Sequence, residues 1–311
     1  MIEDDAAGTV KLNVGIINGS ENGPVVALTG GMIGTHYPGI NVCIRIYNEI
    51  DPSKLKGTII IVPVMEVTGF QQGMDKSPMD GLGLNTVFPG DPEGTITRRI
   101  AYTVFKEIIK KSNYHLDLRG GDLAETILIF VYSFKTGNNE FDEITAAMTR
   151  VLGTGYYTVL PQGGPPDPLK SPRSGTLISE ANNAGIHSVA LIGSKGLGTC
   201  TEEDIQTCMT GAYNLFKHLK MIDGKPIVLE EPKEMEFAIQ SVKAKEGGLL
   251  HLECKCGDVV PKGKILGKII NLEGKVIQEL ASPAEGVIDF THPKHICRPG
   301  DPLTGVRRIM K

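Results

Sequence analysis

The succession of strand, helix and strand between residues 24 and 63 most strongly constrains the fold of this chain. A continuous apolar run at 24–29 ends in Gly30-Gly31 and predicts a buried parallel strand. Residues 40–50 repeat apolar side chains at three- and four-residue steps, which predicts a helix that ends before Asp51-Pro52. A second apolar run at 58–63 predicts the neighbouring strand. This spacing is typical of a right-handed βαβ unit, so we expect an α/β protein.

The alternation of strands and helices continues to about residue 221, so the first two thirds of the chain are predicted to form an α/β sandwich. The expected strands cover 114–118, 127–134 and 188–192, and the expected helices cover 97–111, 140–152, 177–184 and 201–221. Two irregular stretches rich in Gly and Pro, 65–94 and 153–173, interrupt the pattern. Loops of this length inside a compact domain are usually functional.

The pattern changes near residue 226, where short β segments divided by Gly and Pro replace the helices. These segments cover 237–244, 249–254, 264–270, 276–280 and 286–290. Short, evenly spaced strands with turn signals predict a small all-β barrel or sandwich. We therefore expect two domains, an α/β domain at 1–226 that carries the site and a β domain at 227–311.

The composition restricts the classes of partner and the cellular compartment that we expect for this protein. Of the 311 residues, 41% are apolar and 22% charged, and the net charge of −4 gives no bulk attraction to nucleic acid or to an anionic membrane. No apolar run approaches the roughly 18 to 20 residues of a membrane span, and the start of the chain is acidic, unlike a secretory signal. Six cysteines at irregular spacings are typical of reduced thiols. We expect a cytoplasmic protein with no nucleic-acid or membrane partner.

Residues 117–125 form the candidate site loop. An apolar strand with Asp117 interleaved runs into Arg119, then Gly120-Gly121, then the acidic side chains of Asp122 and Glu125. Ligands of open α/β sheets bind at the carboxyl ends of strands, and consecutive glycines let the backbone approach a bound molecule. This loop is therefore predicted to lie at the site.

Several motifs together resemble those of the succinylglutamate desuccinylase/aspartoacylase family, a branch of the zinc carboxypeptidase-like hydrolases. They are Pro38-Gly39, Val62-Pro63, Ser77-Pro78-Met79-Asp80-Gly81, Leu84-Asn85, Phe88-Pro89-Gly90 and Asp117-Leu118 followed by Gly120-Gly121-Asp122. The resemblance extends into the C-terminal region through Gly257-Asp258 and Leu266-Gly267. It implies a mixed sheet sandwiched by helices and a small C-terminal all-β domain, and it is compatible with a homo-oligomer.

The chain departs from the family pattern at the positions that bind zinc, bind substrate and supply the general base. The resemblance implies three zinc ligands at positions that here hold Ile33, His36 and Arg119. A zinc hydrolase needs about three protein ligands, isoleucine cannot coordinate, and a guanidinium that stays charged repels a dication. We therefore expect no zinc at the family position and no other cofactor. The family's substrate-binding arginines are replaced by Thr86 and by Asp75-Lys76, and its general base by Ile192 or a near neighbour.

The residues at or near these positions supply the site candidates, each with a structural alternative. The catalytic candidates are His36, Arg119 and Glu125, and the substrate-binding candidates are Asn85, Thr86, Asp122 and Lys195. Arg119 is suited to bidentate binding of a carboxylate, or else to a salt bridge with Asp122 or Glu125. His36 is suited to proton transfer near neutral pH, or else to a hydrogen-bonded turn. Lys195 either reaches an anionic group or is a solvated loop residue.

These candidates predict an enzyme that acts on a small carboxylate-bearing amide or an N-acyl amino-acid-like compound. Arg119 would take the place of zinc, and the metal-independent reaction would be a hydrolysis or an elimination at a C–N bond. Two alternatives stay open at this point: a catalytically inactive family member that binds a small molecule or regulates a partner, and a zinc hydrolase with relocated ligands.

Overall fold

A computed structural model describes residues 2–3, 8–161, 175–228 and 231–310. The helices are α1 (Tyr37–Glu49), α2 (Val67–Gln72), α3 (Ile96–Glu107), α4 (Asn139–Val151), α5 (Leu177–Asn183) and α6 (Glu202–His218). The strands up to residue 234 are β1 (Ile2–Glu3), β2 (Thr9–Val10), β3 (Gly15–Asn18), β4 (Glu21–Thr29), β5 (Lys56–Val62), β6 (Tyr114–Arg119), β7 (Thr126–Ile127), β8 (Phe130–Phe134), β9 (Tyr156–Leu160), β10 (His187–Ile192) and β11 (Lys233–Glu234). The later strands are β12 (Gln240–Lys243), β13 (Gly248–Leu252), β14 (Val259–Val260), β15 (Ile265–Ile270), β16 (Val276–Ala281), β17 (Gly286–Thr291), β18 (Ile296–Cys297) and β19 (Pro302–Arg307).

An eight-stranded mixed sheet forms the centre of the α/β region. Its strand order is β11-β9-β8-β10-β6-β4-β5-β3. Strand β6 lies between β4 and β10 and runs parallel to both, whereas β8 pairs antiparallel to β10 and β3 antiparallel to β5. Because β4, β6 and β10 share a direction, their carboxyl ends meet at one edge of the sheet, where a ligand site is expected.

Helices cover both faces of this sheet, as buried apolar side chains on both sides of its strands require. On one face, α1, α4 and α6 pack against Leu116 and Leu118 of β6 and their strand neighbours. On the other face, α3 and α5 pack against alternate residues of β4 and β5, such as Ala27 and Ile60. Within the described residues, no helix combines the length and apolarity needed to cross a bilayer.

The C-terminal region forms two antiparallel sheets. One has the order β12-β19-β17-β14, and the other has the order β16-β15-β13-β18. The two-residue strand β7, from the site loop, pairs with β17 of the first sheet. The predicted fold class is therefore confirmed: a mixed sheet between helices, followed by antiparallel β sheets. The division at 226/227 stays a prediction, and β11 lies beyond it while pairing with β9 of the large sheet.

Four features differ from the sequence-based expectation. The single strand predicted at 127–134 divides into β7 and β8, because the Leu128 N–H donates to the Asp289 carbonyl 2.7 Å away and turns the chain toward β17. Helix α2 occupies part of the loop predicted at 65–94, and β9 begins inside the excursion predicted at 153–173. Residues 162–174 of that excursion lie outside the described residues. Strand β19, which carries Arg307, was missed altogether.

Candidate active site

A stripe of polar side chains runs along one face of the central strand β6. His115, Asp117 and Arg119 alternate with Leu116 and Leu118, so the polar residues face α3 and α5 while the leucines face α1 and α6. His115 and Asp117 are fully buried, and Arg119 is 4% exposed. Polar groups buried this deeply need partners, which the neighbouring strands and the loop at residue 85 supply.

Arg119 is held on two sides. Its Nε donates to Asp117 Oδ2 at 2.5 Å, and its Nη2 donates to Asn85 Oδ1 at 2.9 Å. Its guanidinium carbon also lies 5.7 Å from the centre of the Tyr132 ring. Burial lowers the pKa of Arg119, but the charge and hydrogen bond of Asp117, together with the charges of Tyr132 and Asp122, raise it overall. The carboxylate that pairs with Arg119 is thus Asp117, and not Asp122 or Glu125 as the structural alternative for this residue proposed.

A directional hydrogen-bond chain supports Asp117 from behind. Thr29 donates its hydroxyl proton to Asp117 Oδ1 at 2.8 Å, so Thr29 Oγ1 accepts from His115 Nε2, 2.9 Å away. His115 Nδ1 then accepts from the Ser188 hydroxyl at 2.7 Å. Burial lowers the pKa of His115 to about 4, so its ring is neutral near pH 7. The chain fixes the His115 tautomer and leaves Asp117 as the acceptor that orients Arg119.

His36 and Asp122 form the second pair of the site. His36 immediately precedes α1 and is 2% exposed, and its Nε2 lies 3.1 Å from Asp122 Oδ1. Burial raises the pKa of Asp122, but the hydrogen bond and charge of His36, with the charge of Arg119, lower it overall. His36 Nδ1 is buried and has no hydrogen-bond partner among the described residues. The structure therefore brings the loop before α1 against the loop after β6.

Glu125 is the carboxyl group of the site whose titration lies near neutral pH. Its Oε1 accepts from the Asp122 backbone N–H at 3.3 Å. Burial raises the pKa of Glu125 to about 7, and the negative charges of Asp122, Asp289 and Asp75 act in the same direction. A carboxyl group with this pKa can both release and take up a proton under ordinary conditions.

Asp75 ties the two site loops together. Its Oδ1 accepts from the Thr35 hydroxyl at 2.5 Å, and its Oδ2 accepts from the Leu123 backbone N–H at 3.3 Å. Thr35 precedes His36, and Leu123 follows Asp122. A position where the resemblance implies a substrate-binding arginine thus holds a carboxylate that fixes the His36–Asp122 contact. The sequence signal for Asp75 was that an acidic residue stands where the family resemblance implies a basic one.

Two of the substrate-binding candidates lie apart from these contacts. Thr86 is exposed, and its hydroxyl donates to the Gly83 carbonyl at 2.8 Å. Lys195 is exposed on the loop after β10, and its backbone carbonyl accepts from the Ile127 N–H at 2.8 Å. The structure therefore brings together His36, Asn85, Arg119, Asp122 and Glu125, and leaves the side chains of Thr86 and Lys195 at the surface. Their assignment to substrate binding stays a prediction.

Two cavities lie beside this cluster and share Arg307. One, of about 260 Å³, is lined by Asn85, Tyr132, Thr158, Thr176, Arg307 and aromatic residues of β8. The other, of about 280 Å³, is lined by Glu125, Asp289 and His292 and again by Arg307. Arg307 therefore lies between the Glu125 loop and the cavity next to Asn85. Arg307 is not among the residues predicted for the site, because the sequence of β19 gives no clear strand signal.

The residues at the implied zinc positions do not fit a zinc ion. Ile33 packs against the apolar core on the α3 side, and Arg119 brings a positive charge to the third position. Across the described residues, no group of three or more His, Cys, Asp or Glu side chains is placed to hold a metal. His187 lies at the other end of β10 and stacks on Phe141 at 4.0 Å. Ile192, at the implied base position, packs with Phe130 and Val287.

Fold and site together define an α/β protein whose polar cluster lies at the carboxyl ends of parallel strands and is closed by a C-terminal β sheet. Comparison with known proteins specifies the class. The profile of the succinylglutamate desuccinylase/aspartoacylase catalytic domain matches residues 22–219. The chain is 27% identical to an N-alpha-acetyl-L-2,4-diaminobutyric acid deacetylase from Halomonas elongata, over 99% of this chain and 89% of that protein.

Solved structures agree on the fold. A succinylglutamate desuccinylase/aspartoacylase from Rhodobacter sphaeroides superposes with a TM-score of 0.86 at 22% identity, covering 100% of this chain and 93% of that one. The product-bound ectoine utilization protein EutE from Ruegeria pomeroyi gives a TM-score of 0.86 at 22% identity, covering 99% and 92%.

The protein belongs to the succinylglutamate desuccinylase/aspartoacylase family. The family resemblance predicted from its motifs is therefore confirmed. The prediction of an enzyme that acts on C–N bonds of small acids, as a hydrolase or a lyase, is confirmed in its hydrolase form, since the matching family profile is that of a catalytic domain and a relative is named as a deacetylase.

Proposed function

We propose that this protein removes the acyl group from a small N-acyl amino acid or a related carboxylate-bearing amide, and that it does so without zinc at the family position. The observation that carries the proposal is Arg119, a buried cation fixed by Asp117 and Asn85 at the carboxyl end of β6. The deacetylase relative supports the reaction class, since its name describes the release of an acetyl group from an amino acid. Metal independence is our own inference from the donor set.

Arg119 is assigned to the substrate carboxylate. Its Nε is engaged by Asp117, and one of its terminal nitrogens is engaged by Asn85. A guanidinium has five N–H donors, so donors remain for a ligand after these two contacts. Because the group is already oriented by protein contacts, little further ordering is needed when a carboxylate binds.

Glu125 is assigned to proton transfer. In its ionised form it takes a proton from water while the water oxygen bonds to the amide carbonyl carbon. The same proton then passes to the amide nitrogen as the C–N bond breaks, which yields the free acid and the free amine. A group that performs both transfers works best when its pKa lies near the working pH, and burial brings the pKa of Glu125 to about 7.

His36 and Asp122 are assigned to the support of Glu125. The Asp122 backbone N–H donates a hydrogen bond to Glu125 Oε1, and the charge of Asp122 contributes to the raised pKa of Glu125. His36 contacts Asp122 through Nε2, which keeps that carboxylate ionised. His36 also remains a candidate proton carrier through Nδ1, which has no partner among the described residues.

A binder without turnover is the second candidate function. It is favoured by the ion pair in which Asp117 compensates the charge of Arg119, and by the near-complete burial of His36. A small carboxylate would then be held but not changed. The family resemblance is compatible with a homo-oligomer, and a cytoplasmic location and a small-molecule carboxylate partner are parts of the proposal.

The test combines turnover and metal analysis on untagged protein. Pooled N-acyl amino acids are incubated with wild type, Arg119→Met, Glu125→Gln and His36→Ala, and free amino acids are followed by mass spectrometry. We expect wild-type turnover that survives a chelator and is lost in Arg119→Met and Glu125→Gln. Lys195 lies at an exposed position of the neighbouring loop. If it contacts substrate, Lys195→Met lowers turnover, and if it is a solvated lysine, Lys195→Met turns over substrate like wild type.

Each other outcome selects an alternative. Thermal stabilisation by an acid without product would establish the binder. Near-stoichiometric zinc, with activity lost on chelation and restored by zinc, would overturn metal independence and establish a zinc hydrolase with relocated ligands. An unsaturated product that forms without uptake of oxygen from labelled water would establish an elimination.

A further inference from the structure

Arg307 is a second buried arginine beside the site, and it comes from the C-terminal sheet. Its side chain is 7% exposed, and its Nε lies 2.8 Å from Asp289 Oδ1 on the neighbouring strand β17. Its Nη1 donates to the Phe237 carbonyl at 3.4 Å, and its guanidinium carbon lies 5.1 Å from the centre of the Phe130 ring.

Arg119 and Arg307 stack on neighbouring rings of one strand. Phe130 and Tyr132 are alternate residues of β8, so they share a face of that strand, and their ring centres are 6.0 Å apart. Arg119 lies over Tyr132 and Arg307 lies over Phe130. The α/β sheet and the C-terminal sheet therefore each place one guanidinium along the same aromatic surface.

The cavity of about 260 Å³ lies against this surface. Phe130, Tyr132 and Phe134 supply apolar lining, while Asn85 and Arg307 supply polar groups. Asn85 is also the residue bound by Arg119 Nη2, so the cavity extends from the partner of one arginine to the other arginine. This volume lies below the range usual for drug-sized ligands and suits a molecule of amino-acid size.

Donor groups of Arg307 remain for a ligand. Asp289 approaches at the Nε side, and neither Asp289 oxygen has an aligned hydrogen bond among the described residues. The pair is therefore not the two-pronged arginine–carboxylate fork that would occupy two donors in good geometry. A planar anionic group that enters the cavity can accept from the terminal nitrogens of Arg307 while Asp289 balances the buried charge.

We propose that Arg307 is a second anion-binding residue of this site, which holds one acidic end of a small ligand whose other acidic end is held by Arg119 and whose apolar middle lies on Phe130 and Tyr132. The ligand class is thus a small molecule with two anionic ends. Its role as substrate rests on the proposed function, whereas the binding site itself does not.

Calorimetric titration with two acids of equal chain length tests this inference without turnover. Glutarate has a carboxylate at each end, and valerate has one. We expect wild type to bind glutarate about 10- to 100-fold more tightly, since a charge-assisted hydrogen-bond contact is worth that much. Arg307→Met is expected to lose the preference. Arg308→Met, at the next residue, whose side chain is 54% exposed, is the matched control and keeps it.

The variant Arg307→Met leaves Asp289 buried without its cation, so a second variant guards against misfolding. Arg307→Met combined with Asp289→Asn removes both charges, and circular dichroism checks that the fold is kept. Loss of the glutarate preference in this double variant supports the inference. Equal binding of the two acids by wild type, or a preference that survives in the double variant, overturns it.

The outcome is separable from that of the proposed function. If the protein prefers glutarate in a way that depends on Arg307 but turns over no N-acyl amino acid, the two-arginine site is supported and the proposed deacylase activity is rejected. If the protein turns over N-acyl amino acids but binds glutarate and valerate with equal affinity, the two-arginine site is rejected and the proposed deacylase activity is kept.

Discussion

Arg119 and Asp117 point to the same buried side of β6, and their Nε and Oδ2 atoms lie 2.5 Å apart with both side chains at most 5% exposed. Residues two apart on a strand share a face, so this ion pair is set by the strand itself and needs no turn or loop to form. A charge removed from such a pair leaves its partner buried and uncompensated.

Arg119→Met is therefore expected to lower the free energy of unfolding by about 3 to 5 kcal/mol, in addition to abolishing turnover. Urea unfolding followed by circular dichroism measures the change. The double variant Arg119→Met/Asp117→Asn should recover part of the stability but none of the activity. Arg45→Met, which removes a surface pair with Glu202, is the control and should change stability far less. An equally small change in Arg119→Met would show that the buried pair is not formed in solution.

Glu125 should give both activity and stability a pH dependence near neutrality. Its folded-state pKa of about 7 exceeds the ordinary value, so the folded protein binds more protons than the unfolded chain between roughly pH 4 and 7. Stability should fall as pH rises through this window, and Glu125→Gln should remove that fall and be more stable than wild type at pH 8. Turnover, which needs ionised Glu125, should rise through pH 7. A pH–rate profile flat from pH 6 to 8 would contradict the assignment.

His115 should act on stability with the opposite sign. Its folded-state pKa of about 4 lies below the ordinary value of about 6.5, so the neutral ring stabilises the fold above pH 6.5 and this contribution is lost as pH falls toward 4. His115→Gln is expected to be less stable than wild type at pH 7 and to approach it at pH 4.5, measured by urea unfolding at each pH. His251→Gln, at an exposed position, supplies the control. A difference that stays constant with pH would show that His115 does not titrate in this way.

Gly39 sets the distance between α1 and β6. A Cβ atom at this position would overlap the Leu118 carbonyl oxygen, so alanine requires the start of α1 to move away from the strand. Because His36 directly precedes α1, Gly39→Ala is expected to lower both thermal stability and turnover. Gly83→Ala is the matched control, since its Cβ would meet only Thr86 Oγ1, at 3.8 Å. Equal behaviour of the two variants in a thermal melt would contradict this account.

The sequence predicted the α/β scaffold well because its elements carry local signals. Helix α6 begins after Thr201, whose side chain and that of Asp204 form a capping box, and the apolar periodicity that follows is unambiguous. The helix predicted at 40–50 corresponds to α1, which ends one residue earlier and starts three residues earlier because Pro38 is favourable in a first turn. Such features depend on neighbours in the chain and are visible without the fold.

The site was harder to predict because its contacts are not local. His36 and Asp122 are distant in sequence, and Asp75 joins their loops through one hydroxyl and one backbone N–H. Arg307 lies on a strand whose short apolar run carries no clear alternation, so neither the strand nor the arginine was expected. Resemblance to a family located the loops, but the altered side chains have partners that only the three-dimensional arrangement reveals.

The pairing of Thr126–Ile127 with β17 makes the loop that carries Asp122 and Glu125 an edge of the C-terminal sheet. A polypeptide cut after residue 226 would retain the six helices of the described residues yet lose β17, the strand with which Thr126–Ile127 pairs. We therefore expect a mutation that loosens β17 to displace Asp122 and Glu125 as well, and so to reduce turnover.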